Sequence, residues 1–249
     1  MSRLLFESVS KAFDGEMVVR DVSFRLSAGE VVGLIGDNGA GKTTLLRLAA
    51  KLLNPSSGRV TVMEHAEAVV ARAHLGALIE RAGHYDELTV LENLRFFLSF
   101  YGGGVMEREA AVEMAITTCG LWSVKEAQVS TLSTGYRQRL AVARATHPWA
   151  QVILLDEPFE SLDPLARHDI KQVLRERTRR GAAILISSHT LSDLAGLSDR
   201  LLVLAEGATR EYEGFEHMAR EVGLSGASDL DAVYARLRRG AGGEEARVH

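Results

Sequence analysis

The 249-residue chain is 46% hydrophobic and 25% charged, the balance of an ordinary globular protein with a sizeable core. A net charge of −4 speaks against a binder that works by bulk positive field, so no nucleic-acid partner is expected. The single cysteine, Cys119, excludes an internal disulfide, and no apolar run approaches the ~18 residues that span a bilayer. Arg3 and Glu7 bring charge into the opening segment too early for a secretory leader, so the chain is expected in the cytoplasm or at a membrane only through a partner.

Residues 3–9 and 17–26 read as strands, the second from the alternation of Val22, Phe24 and Leu26 with Asp21, Ser23 and Arg25. An apolar run, Val31–Ile35, feeds Gly36-Asp37-Asn38-Gly39-Ala40-Gly41-Lys42-Thr43-Thr44, after which Leu45, Leu46, Leu48, Ala49 and Leu52 fall at helical spacing. Asn54-Pro55-Ser56-Ser57-Gly58 stops that helix, and 59–63 and 75–79 are short strands. Helices are predicted over 88–100, 105–119 and 133–146, so that roughly 82–150 reads as a helical insertion into an α/β domain. Then follow a buried strand at 152–155, a polar helix at 164–180, and strands at 183–187 and 200–204. Short apolar strands alternating with helices imply a mostly parallel sheet covered on both faces. The domain is expected to span 1–210, leaving 211–249 as a tail with one helix at 230–237 and a flexible end.

Strand, glycine-rich turn and helix is the setting in which G-x-x-x-x-G-K-[ST] is a P-loop. Gly36, Gly39 and Gly41 lack a Cβ, so their backbone can wrap phosphates, and successive N–H groups with the helix dipole make an anion site. Lys42 would bring charge to the β- and γ-phosphates and Thr43 a hydroxyl to Mg²⁺. The strand at 152–155 ends in Asp156-Glu157-Pro158, and ligands of open α/β sheets bind at the carboxyl ends of strands. Asp156 there can hold Mg²⁺ through a water, while Glu157 points elsewhere and can face an attacking water.

Three further stretches follow in order: Leu132-Ser133-Thr134-Gly135-Tyr136-Arg137-Gln138-Arg139, Ser161-Leu162-Asp163-Pro164 and Ser187-Ser188-His189. With these, residues 3 to about 210 resemble the ATP-binding-cassette (ABC) ATPases. The resemblance implies a P-loop NTPase fold of class α/β, in which a mostly parallel core carries an antiparallel β subdomain and the helical subdomain. It implies ATP and Mg²⁺ as cofactors. Phe13 matches the aromatic that stacks on adenine; Gly36, Asn38, Gly39, Gly41, Lys42, Thr43 and Thr44 form the Walker A loop; Thr43 and Asp156 serve the metal. Glu157 matches the general base, with Lys42 and His189 at the γ-phosphate. Ser133 and Gly135 would close over ATP held by a second cassette, with Asp163 at the same interface, in a homodimer or a heterodimer.

Thr134 and Tyr136 depart from the family's glycine and glutamine, and Glu80 stands where the family's metal-linked glutamine is expected. A β-branched Thr134 narrows the backbone and is expected to loosen the approach to the partner's phosphate. Glu80 could still ligate the metal, and with Tyr85 to Leu94 it is similar to the bacitracin- and lantibiotic-export branch. The resemblance implies an ATPase subunit, peripheral on the cytoplasmic face of the membrane, that drives an exporter through a separate transmembrane permease. The aromatic group Phe96, Phe97, Phe100 and Tyr101 is either a docking face for that permease or an internal core. The alternative is a soluble cassette ATPase, such as one for cluster assembly. A small-molecule phosphotransferase would leave Ser133–Gly135 without a purpose.

Overall fold

The computed structural model describes residues 2–64, 72–80 and 83–221, with Val233 and Arg236. The tail helix expected at 230–237 lies outside the described residues but for those two. Strands β1 (Ser2–Phe13), β2 (Glu16–Ser27) and β4 (Ser57–Val62) form an antiparallel sheet in the order β2-β1-β4. The second sheet contains β3 (Val31–Ile35), β5 (Leu75–Leu78), β6 (Val152–Asp156), β7 (Ala183–Ser188), β8 (Arg200–Ala205) and β9 (Ala208–Tyr212). Its order is β5-β6-β7-β3-β8-β9, parallel throughout except that β9 runs antiparallel to β8.

Every residue of β3, β6 and β7 is buried, which is why their sequences are continuous apolar runs rather than alternating ones. Successive side chains serve two cores. Val32, Leu34, Leu154 and Leu185 pack toward the antiparallel sheet and helix α1 (Lys42–Ala49). Val31, Ile35, Ile153, Leu155 and Ile184 face the other way, among the remaining helices. Among the described residues those are α2 (Val90–Leu98), α3 (Val105–Thr118), α4 (Thr134–Ala145), α5 (Pro164–Arg179), α6 (Leu191–Leu194) and α7 (Gly214–Glu221). Helix α2 starts two residues later than its apolar spacing suggests, because Thr89 and Glu92 close a capping box around its first turn.

Two differences from the expected layout have local causes. β1 runs on to Phe13, past residue 9, through register shifts with β2 and a left-handed Ser8 (φ 47°) that break the alternation a strand would show. The expected domain end at 210 falls inside β9, and burial continues through Tyr212, Met218 and Ala219. Among the described residues no helix is long and apolar enough to cross a membrane.

Candidate nucleotide site

Strands β6, β7 and β3 are neighbours, so the segments leaving their carboxyl ends converge. From β3 comes the glycine-rich loop. A β-carbon on Gly36 would lie 2.7 Å from the Leu204 carbonyl oxygen, so this glycine is demanded by β8 as well as by any ligand. Gly41 caps α1 in the left-handed region (φ 105°), with Val18 of β2 against it. Lys42 is 6% exposed; its Nζ donates to the carbonyls of Gly36 (2.7 Å) and Asp37 (3.2 Å) and stands 3.5 Å from Glu157 Oε1. Asn38 and Gly39 are exposed at the loop crest, and Thr44 is half-buried.

From β6 come the two acids. Thr43 Oγ1 donates to Asp156 Oδ2 (2.7 Å), and Ser187 Oγ donates to Asp156 Oδ1 (2.6 Å), so hydroxyls hold both carboxylate oxygens. Glu157 adopts a left-handed backbone (φ 47°), a strain that costs about 1–3 kcal/mol and persists only where surroundings enforce it. Its N–H donates to Ser187 Oγ (3.1 Å), its carbonyl accepts from Gln138 Nε2 (3.2 Å), and its Oε2 lies 2.9 Å from His189 Nδ1. Oε1 is buried and accepts no hydrogen bond. A buried carboxylate oxygen paired with a lysine at 3.5 Å, yet without a hydrogen bond, keeps room for a further donor such as water. Among the described residues no three or more His, Cys, Asp or Glu cluster to hold a metal. The Thr43 hydroxyl and Asp156 carboxylate instead form a two-oxygen set, which suits a cation that completes its shell from phosphates and water.

The other expected residues fall into two groups. Phe13 is 40% exposed at the end of β1, with Lys11 Nζ 5.0 Å from its ring, on the hairpin that touches the loop through Val18. Ser133 caps α4 by accepting from Tyr136 N–H (3.4 Å), and a β-carbon on Gly135 would lie 3.2 Å from the Ser161 carbonyl. Asp163 caps α5 and sits 4.0 Å from Arg139. The Ala166 N–H donating to it holds its carboxyl below the usual range. Ser133, Gly135 and Asp163 are thus tied together through Ser161 and Arg139 rather than through the loop. Glu80 is not joined to Thr43 and Asp156. Its carboxylate pairs with Arg47, one helical turn beyond Thr43.

A family model described as ABC transporter matches residues 19–160, more than half of the sequence. The chain belongs to the ABC transporter family. Among its relatives, Nod factor export ATP-binding protein I of Rhizobium johnstonii is 38% identical over 84% of this chain and 68% of its own length. The protein of that name from Rhizobium etli is 37% identical over 87% of this chain and 69% of its own. A solved ATP-binding subunit of an ABC transporter superposes with a TM-score of 0.87 at 29% identity, covering 95% of this chain and 100% of that one. A dimeric post-hydrolysis cassette bound to ADP and Pi shares the fold, with a TM-score of 0.77 at 24% identity over 85% of this chain and 100% of its own. The protein is an ATP-binding subunit of this family and an ATPase.

Within the cassette, residues quoted in the sequence motifs but given no role prove central. Ser187 touches both acids, Gln138 holds the Glu157 backbone, and Arg139 donates to the Cys119 carbonyl (3.2 Å) and pairs with Asp169 (3.4 Å) beside Asp163. Their only sequence signal was membership of the motifs. The aromatic group divides. Tyr85, Phe96 and Phe100 stack edge to face in solvent at 4.8 and 5.1 Å, whereas Phe97 and Tyr101 turn inward, Tyr101 lying 3.9 Å from His147. His84 ties the segment after Glu80 to α4: Nε2 donates to the Arg137 carbonyl (3.0 Å) and Nδ1 accepts from Arg144 (3.2 Å).

Proposed function

We propose that two copies of this cassette, or one copy and a close relative, hold MgATP between them, and that hydrolysis there drives export through a separate permease at the cytoplasmic face of a membrane. Each nucleotide would lie on the Walker A loop of one cassette, beneath Ser133 and Gly135 of the other. The observation that carries the catalytic half is Glu157, held in a strained backbone with Oε1 buried, without a hydrogen bond and paired with Lys42. Lys42 leaves the carbonyls of Gly36 and Asp37 for the phosphates, where its charge stabilises the negative charge spread over the transferred group. Glu157 Oε1 accepts the hydrogen bond of the attacking water and takes its proton as the new oxygen–phosphorus bond forms and the bond from the γ-phosphorus to the β–γ bridging oxygen breaks, so that ADP leaves with the bridging oxygen and the water oxygen ends in phosphate. His189 keeps the second carboxylate oxygen occupied, so that Oε1 is the one offered to water. Thr43 and Asp156 would hold Mg²⁺, which when bound neutralises phosphate charge.

Phe13, exposed at the rim, offers a π-face to adenine of a kind that tolerates any base. Export is the direction supported by the relatives' names, and Tyr85, Phe96 and Phe100 supply an outward apolar surface on the helical subdomain for a permease. Glu157→Gln is the test. It keeps the side-chain shape and removes the base, so turnover falls by about 10²–10⁴-fold while ATP binding survives and an ATP-bound dimer appears on size exclusion. Turnover equal to that of the unaltered chain would remove Glu157 from its role.

A further inference from the structure

Helix α4 carries residues that the dimeric reading assigns to two different nucleotide sites. At its N-cap is Ser133, which in the proposed dimer closes over the partner's ATP. Five residues on, about 7.5 Å along the axis at 1.5 Å per residue, Gln138 donates from Nε2 to the carbonyl of Glu157 in its own site. We propose that Gln138 is a positioning residue that couples the two ATP sites, so that closure of α4 onto the partner's nucleotide sets the base of its own. This rests on the dimeric reading above.

The reasoning starts from the backbone of Glu157. A glutamate at φ 47° relaxes unless its peptide groups are held on both sides. On the amide side the holder is Ser187 of β7, which pairs with β6 residue by residue and moves with it as one sheet. On the carbonyl side the holders are Glu160 N–H (3.1 Å), within the same turn, and Gln138 (3.2 Å). Among the described residues, Gln138 is the holder that belongs to an element outside the sheet and its following turn. The far half of helix α4 is packed in the core through Leu140–Ala143 and Ala145 while Ser133 and Thr134 at its start are exposed, so half-buried Gln138 sits where the free end of the helix meets its anchored half and answers to displacement of that end. In this proposal, occupying the partner's site strengthens the hold on the Glu157 backbone of this one, and the symmetric contact does the reverse.

The test is steady-state ATP hydrolysis against ATP concentration for the unaltered chain, Gln138→Met and Gln138→Glu, with Glu157→Gln as reference. Methionine keeps length without a donor, and glutamate keeps shape but presents an acceptor to a carbonyl. The unaltered chain gives a Hill coefficient clearly above one. Both variants give a coefficient near one, kcat lowered ~10-fold or more by misplacement of the base, and half-saturation moved less than about threefold, because neither touches the Walker A loop. Thermal melting of the two variants stays with the unaltered chain, since Gln138 is only half-buried. A coefficient of one in the unaltered chain, or an unchanged coefficient in the variants even with kcat reduced, would overturn the coupling while leaving the ATPase assignment standing. Full turnover in Glu157→Gln would overturn the assignment on which it rests.

Discussion

Gly36→Ala separates two reasons for the first glycine of the loop. If that glycine serves only phosphate approach, alanine weakens ATP binding and leaves the protein itself unaffected. The packing says otherwise. A β-carbon there stands 2.7 Å from the Leu204 carbonyl oxygen, 3.3 Å from Ala40 Cβ and 3.4 Å from Leu204 Cβ. The oxygen belongs to β8, paired with β3 on one side and β9 on the other, so it cannot swing away as a side-chain atom could. Relief requires a shift of the loop or of the strand, the overpacking case, which costs about 1–3 kcal/mol. For a chain of this size each kcal/mol moves the melting temperature by about 2–4 °C, so a drop of roughly 2–12 °C is expected. Gly39→Ala is the control: its φ of 84° carries only the left-handed penalty, about 1–2 kcal/mol, with nothing within 4 Å of the added carbon. Calorimetric melting without nucleotide, followed by titration with a non-hydrolysable ATP analogue, reads both. A Gly36→Ala protein that melts within about 1 °C of the unaltered chain yet fails to bind the analogue would refute the packing argument.

Stability should fall on acidification. Burial, joined for His84 by the charge of Arg144, pushes His84 and His147 from 6.5 down to about 4, so the unfolded chain takes up protons near 6.5 that the folded chain refuses until about 4. Their contribution is complete above pH 6.5 and is lost as pH falls toward 4. For His147, 2% exposed, that gap corresponds to roughly 3 kcal/mol, and His147→Gln should flatten the difference between urea unfolding at pH 7 and pH 5. An unflattened difference counts against it. Phe96→Ser with Phe100→Ser should leave turnover of the isolated cassette unchanged, since both rings are exposed, and abolish co-purification with a polytopic membrane protein in detergent. Retained co-purification would move the docking face elsewhere.

What could be read from the chain was what is local. The loop, the strand that precedes it and the acids that end β6 are consecutive residues whose chemistry follows from their order. β9 escaped because Ala208–Tyr212 is a largely exposed edge strand with one buried residue, and its polar sequence looks like a tail. The Glu80–Arg47 pair was not foreseen because the partners are 33 residues apart, and no spacing rule foretells which cation a surface carboxylate finds. The aromatic group was decidable. Phe96 and Phe97 are adjacent on α2 and so face different directions, and each pairs with the aromatic four residues on, Phe100 or Tyr101, just past the helix end. Ser187 and Gln138 were visible only as motif letters, since a hydroxyl that bridges Asp156 and Glu157 depends on β7 lying beside β6.

Thr134 raises the remaining question, because a threonine in place of glycine was expected to hinder approach to the partner's phosphate. It is the first residue of α4, exposed, with helical backbone, so it takes a conformation any residue adopts. Tyr136 is likewise absorbed, its ring against the helical core and its hydroxyl 3.4 Å from Ser123. Gly135 is the constrained position, for a β-carbon there would press to 3.2 Å on the carbonyl of Ser161, itself held left-handed at φ 63°. Thr134→Gly should therefore cost about 0.5–1 kcal/mol of stability through added backbone freedom and leave turnover unimproved. Gly135→Ala should lower turnover by displacing the Ser161–Asp163 loop, with nucleotide affinity of the isolated chain unchanged. Parallel ATPase and melting measurements decide between them. A several-fold gain in turnover for Thr134→Gly would show that the threonine does obstruct the interface, and that the constraint lies in the partner rather than in this chain.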